Sequence, residues 1–118
     1  MDELIWTLPV RSQEFDQGPQ VLISSGRVTV RWDAESESGE YTWSSASFVG
    51  VEDVEFTAYA SCTPEQAQAY DRLMKIEPSD KLVALRGSAS KSLQHFRIFF
   101  DEAGCLDVIA EDFQPPED

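Results

Sequence analysis

Four sets of side chains in this sequence could do chemistry. Ser88-Ala89-Ser90-Lys91 matches the S-x-x-K pattern of penicillin-recognising acyl enzymes, where a lysine one helical turn from a serine activates it as a nucleophile. The companion S-D-N and K-T-G elements are missing from the sequence, and the serines fall in a polar link between elements, so the match carries little weight. Cys62 stands just before a helix start, where the partial positive charge of the helix could sharpen a thiol. Its only histidine base would be His95, and such a pair needs a third group to orient the ring. Ordinary burial of a small apolar thiol is the simpler account for Cys62 and also for Cys105.

His95 itself, with no Cys or His at ligand spacing, makes a poor zinc site, and a cross-strand pairing with Glu111 explains it more plainly. Arg97 could grip a carboxylate or a phosphate, but Asp107 and Glu111 flank it in the expected hairpin. The fourth set is acidic. Asp33, Glu35, Glu37 and Glu40 put oxygens at near-alternate positions, yet the central glycine and terminal bidentate glutamate of an EF-hand are out of register. No carboxylate pair frames a substrate in the manner of a glycosidase. No metal or cofactor is therefore expected.

Charge is the strongest global feature. Twenty-two acidic residues stand against nine basic ones in 118, a formal net charge of −13. Such a balance repels nucleic-acid phosphates and anionic lipid, and it favours a basic partner through faster encounter. Solubility alone would also account for it. The first residues lack the basic and apolar regions of a signal peptide, and no segment is long enough to span a bilayer, so a cytoplasmic location with both cysteines reduced is expected.

The elements that must position these groups are readable from periodicity. Residues 1–113 are expected to form a single domain, and 114–118, rich in proline and acid, a disordered tail. Val21 should face Val30 and Ile23 face Val28 across a two-residue turn at Ser25-Gly26. Residues 33–40, without apolar periodicity, read as an exposed loop. Short strands follow around Tyr41-Thr42-Trp43 and 47–51, and 54–60 alternate cleanly. Thr63-Pro64-Glu65-Gln66 then carries a capping box, and Ala67, Tyr70, Leu73 and Met74 lie at helical spacing, predicting a main helix that ends before Pro78. A second, shorter helix runs from a Ser79 cap to Gly87. The turn Asp101-Glu102-Ala103-Gly104 closes a terminal hairpin that pairs Phe100 with Leu106, Ile98 with Val108 and Phe96 with Ala110 on a core face. Phe99, Arg97 and His95 should meet Asp107, Ile109 and Glu111 on the other. The expected fold is α+β: an antiparallel, curved β-sheet of about six strands, with one main and one short helix inserted before the C-terminal β-hairpin.

Two segments, Cys62-Thr63-Pro64-Glu65-Gln66 through Leu73 and His95-Phe96-Arg97-Ile98-Phe99-Phe100 through Ala110, resemble small acidic bacterial proteins of the toxin-immunity type. The resemblance implies neutralisation of a basic antibacterial toxin by direct binding, without catalysis. Asp33, Glu35, Glu37, Glu40, Glu52, Asp53 and Glu55 are the expected partner-binding residues, with exposed aromatics as anchors. Two competing expectations are a small-molecule carrier or weak enzyme, with Trp32, Trp43 and Tyr59 walling a cavity, and a subunit that completes its sheet in a homodimer.

Overall fold

The computed structural model describes residues 1–85 and 92–116. Among them nine strands form two antiparallel sheets. Strands β1 (Glu3–Thr7), β6 (Arg72–Lys75), β7 (Gln94–Phe100), β8 (Gly104–Ala110) and β5 (Asp53–Ala58) form a five-stranded sheet in that order. Strands β2 (Gln20–Ser24), β3 (Arg27–Glu35), β4 (Tyr41–Val49) and β9 (Asp112–Gln114) form the other. The expected single curved sheet of about six strands is thus corrected to two sheets, neither of them curved or closed.

The alternating apolar residues explain the split. Val28, Val30 and Trp32 of β3 and Ala46 and Phe48 of β4 share one buried cluster with Phe96, Ile98 and Phe100 of β7 and Leu106 and Val108 of β8. Each sheet turns one face to the other, with Phe48 against Phe96 at 5.5 Å between ring centroids. The gap left between the sheets is only about 10 Å³. Room for at most about one water remains there, so Trp32, Trp43 and Tyr59 wall no common cavity: Trp32 fills the core, Trp43 lies beneath Arg31 on β3, and Tyr59 packs on Phe99.

The β2–β3 hairpin has the expected register, Val21 with Val30 and Ile23 with Val28. The terminal hairpin keeps its expected faces but is shifted by two residues, with Phe100 opposite Gly104, Ile98 opposite Leu106 and Arg97 opposite Asp107. Asp101, Glu102 and Ala103 make the loop, and Glu102 itself takes a left-handed φ of 58°. His95 faces Ile109 across the ladder, not Glu111.

The main helix is also corrected. The capping box is present: Thr63 Oγ1 accepts from the Gln66 N–H, and Gln66 Oε1 accepts from the Thr63 N–H. Even so, α1 stops after Pro64–Ala67. Asp71 turns left-handed at φ 56°, and Arg72–Lys75 leaves as β6 to pair with β1 and β7, which buries Leu73 in the core as a strand residue. The second helix, α2 (Asp80–Leu85), forms where expected. Its expected end at Gly87 and the Ser88-Ala89-Ser90-Lys91 motif lie outside the described residues. Gln114, expected to begin the tail, pairs with Ser47 in β9. Among the described residues no helix is long and apolar enough to cross a membrane.

Candidate functional site

The most ordered polar arrangement lies on the face of the five-stranded sheet turned away from the shared core. Alternation sends His95, Arg97 and Phe99 of β7 and Cys105, Asp107 and Ile109 of β8 to that face. Ser79, leading into α2, lies over it. Its Oγ accepts from the Leu82 N–H at 3.0 Å, which caps the helix, and stands 2.6 Å from His95 Nδ1. His95 Nε2 is 2.6 Å from Asp107 Oδ1, which also accepts from Arg97 Nε at 2.7 Å. The Cys105 thiol donates to Asp107 Oδ2 at 3.6 Å. Ser79, His95, Asp107 and Cys105 are all buried.

Serine, histidine and aspartate in this order invite comparison with a hydrolytic triad. A triad needs its nucleophile open to a substrate. Here the serine oxygen is engaged as a helix cap, and the 380 Å³ groove beside the row is lined by Arg97 and Arg72 but not by Ser79. The imidazole closes the row, its Nε2 against the Asp107 carboxylate and its Nδ1 against the Ser79 hydroxyl. One guanidinium then answers one carboxylate. Burial by itself would raise the Asp107 carboxyl, but the hydrogen bonds from His95 and Arg97 more than offset it and hold the group below the ordinary aspartate range. Burial, and next the Asp107 charge, push the Cys105 thiol far up, so it is no nucleophile. These contacts fasten α2 to β7 and β8. Cys62, half-buried, turns its thiol to the carbonyls of Thr57 and Ala58 and has no histidine beside it.

The seven acids expected to bind a partner occupy three different settings. Asp33 belongs to β3, not to a loop, and is fully buried. It accepts from the Gln17 N–H at 2.8 Å, the Gly18 N–H at 2.7 Å and the Tyr41 hydroxyl. Its carboxylate therefore faces no partner; it ties residues 17 and 18 to the sheet. Glu35, Glu37 and Glu40 are exposed around the β3–β4 turn and have no ion-pair partner among the described residues. Glu52, Asp53 and Glu55 lie beyond the opposite end of β4, about 27 Å away at the usual ~3.4 Å per strand residue. There Lys81 of α2 reaches Asp53 at 3.4 Å and Glu55 at 2.8 Å.

No family model, curated protein or solved structure matches the chain. Its function must be argued from these groups. Among the described residues no cluster of His, Cys, Asp and Glu could hold a metal ion.

Sequence reasoning missed the row because its residues alternate with core residues and so look solvent-facing. The available signal was that Phe99, Cys105 and Ile109 share their face. For Asp33, burial raises the carboxyl, and the bonds from Tyr41, Gln17 and Gly18 together lower it further than burial lifts it. Both Asp33 and Asp107 thus fold with carboxyl groups below their unfolded value of about 3.9. Their contribution is complete above that value and is lost as pH falls through the folded values. We expect the thermal midpoint followed by circular dichroism to be level from about pH 7 to 5 and to drop below about pH 4, with a shallower acid limb for Asp33→Asn. A midpoint unchanged down to about pH 3 would contradict the assignment.

Proposed function

We propose that the protein is a non-enzymatic binding protein that engages a basic protein partner, in the manner of an immunity protein that neutralises a cationic toxin by covering it. The observation that carries the reading is the β3–β4 turn: Glu35, Glu37 and Glu40 are exposed, close in sequence and unpaired among the described residues. Among the other carboxylates, Asp33 and Asp107 are put to structural use and Asp53 and Glu55 share a lysine, while single exposed acids such as Glu14 and Glu65 are not grouped as these three are. Acids left unpaired on a turn strengthen attraction over a Debye length and raise the encounter rate with a cationic surface. The same reading puts the protein in the cytoplasm, where Cys62 and Cys105 remain thiols.

The test compares the wild-type chain with a Glu35→Gln, Glu37→Gln, Glu40→Gln variant as paired baits in an extract of the native cell. A basic protein recovered by the first and lost by the second is expected. With that protein purified, its association rate should fall on the order of 10-fold or more between low and high salt, and the variant should lose most of that dependence. A rate insensitive to salt, or baits that recover no basic protein, would sink the proposal.

A further inference from the structure

The face that carries the buried row also bears, at its other end, an open groove of about 520 Å³ lined by Tyr59, Cys62, Pro64, Tyr70, Phe99 and Asp101 among others. Phe99 is buried and forms its floor. Tyr59 packs on Phe99 at 6.0 Å between ring centroids, and Tyr70 packs on it at 5.9 Å. The two tyrosines do not pack on each other. The groove therefore lies between two rings over a third, a surface rich in π-electron density.

Its polar end is anionic. Asp101 Oδ1 accepts from the Tyr70 hydroxyl at 3.0 Å, while Oδ2 takes no hydrogen bond or ion pair among the described residues. Burial, followed by the bond to Asp101, raises the Tyr70 phenol, so its proton stays on the oxygen and in that bond. The nearby Asp71 carboxylate adds to the negative field, and the Arg11 guanidinium opposes it. Cys62 points its thiol at backbone carbonyls and offers no competing chemistry. Aromatic walls with a carboxylate at one end suit an alkylammonium group, whose stem packs on rings and whose charge meets both the ring faces and the oxygen.

The groove is also tied through the chain to the β3–β4 turn. The Asp101 N–H donates to Ser12 Oγ at 2.7 Å, and the Asp16 N–H donates to the Asp33 carbonyl, two residues before Glu35. At ~3.5 Å per residue, the four steps from residue 12 to 16 and the two from 33 to 35, together with the two hydrogen-bonded links, put Asp101 within roughly 35 Å of Glu35. One partner surface of ordinary size, roughly 800 Å² a side and so about 32 Å across, is of the dimension needed to reach both.

We propose that this groove receives a lysine side chain of the basic partner, with its methylene stem between Tyr59 and Tyr70 and its ammonium on Asp101 Oδ2. The inference rests on the reading of the protein as a binder of a basic partner and names the anchor of that contact.

A capped tetralysine peptide titrated into the ¹⁵N-labelled protein separates the two. Expected are shifts at Tyr59, Tyr70, Phe99 and Asp101 together with the β3–β4 turn, and a loss of affinity of about 3- to 10-fold in both Tyr59→Ala and Asp101→Asn. Tyr59 is half exposed and Asn keeps the size of the aspartate, so both variants should fold. Shifts confined to residues 35–40 would overturn the lysine groove while leaving the acidic turn standing. Groove shifts that persist unchanged in both variants would overturn it as well, and no shift anywhere would count against both proposals.

Discussion

Asp107→Ala should cost the fold roughly 3–5 kcal/mol, the usual consequence of removing one partner from a buried ion pair. Asp107 is almost fully buried, and three donors converge on it: His95 Nε2, Arg97 Nε and the Cys105 thiol. Alanine leaves the Arg97 guanidinium, whose side chain is only 17% exposed, without its counter-charge. It also leaves His95 Nε2 buried without the carboxylate it faces. In a domain this size the thermal midpoint should fall by on the order of 10–20 °C. Replacing Asp107 and Arg97 together by apolar residues should cost clearly less than the sum of the single changes, because the second substitution removes the charge that the first one stranded. Ser79→Ala deletes the helix cap and one end of the row but strands no charge, so about 1 kcal/mol is expected there. Denaturant unfolding of the four variants checks the order. Equal losses for Ser79→Ala and Asp107→Ala would show that the row is not organised around the carboxylate.

The history of Asp107 shows what the sequence makes readable and what it does not. Alternation alone assigns Phe96, Ile98, Leu106 and Val108 to one face and His95, Arg97 and Asp107 to the other, and both assignments match the structure. It is blind to a shift of two residues, since side chains return to the same face every second position. The turn Asp101-Glu102-Ala103-Gly104 is compatible with either closure. Alternation also cannot say whether a face is wet: α1 and α2 close over the second face and turn an expected cross-strand surface pairing into a buried network. The same limit explains β6. The capping box at Thr63 marks where the helix begins, while Ala67, Tyr70, Leu73 and Met74 fit a helical stripe only as long as β1 is ignored. Leu4 and Trp6 of β1, nearly seventy residues upstream, take Met74 and Leu73 into a sheet, and no local window contains both strands. Asp33 fails for an equivalent reason, because its donors at residues 17 and 18 come from another part of the chain. Glu37 and Glu40 needed no distant partner and lie in the exposed turn as the local reading has them, whereas Glu35, also exposed, ends β3 opposite Tyr41 and not in a loop.

Gly104→Ala should rank with Asp107→Ala, at roughly 3–5 kcal/mol, although it removes no interaction. Gly104 begins β8 with φ at 140°, a conformation that side chains disfavour, and it pairs on one flank with Phe100 and on the other with Ala58 of β5. A Cβ built there runs into the Thr57 carbonyl oxygen, far inside van der Waals contact, and meets the Phe56 ring at 3.1 Å. Because the obstacle is backbone, no rotamer change relieves it. The strand β5 must move away, and the Tyr59 N–H that donates to the Ala103 carbonyl at 3.1 Å moves with it. Gly26 supplies the control. Its φ of 71° is equally left-handed, but nothing lies within 4 Å of an added Cβ, so Gly26→Ala should cost only the backbone strain of about 1–2 kcal/mol. Hydrogen exchange then separates the two mechanisms: Gly104→Ala should accelerate exchange along Asp53–Ala58, whereas Gly26→Ala should leave that strand protected. Comparable stability losses at the two glycines, with β5 still protected in both, would mean that the close approach of β8 to Thr57 does not constrain the fold. If β5 does loosen, Tyr59 loses its place beside Phe99, and the groove proposed to hold a lysine loses one wall through a substitution that touches none of its lining residues.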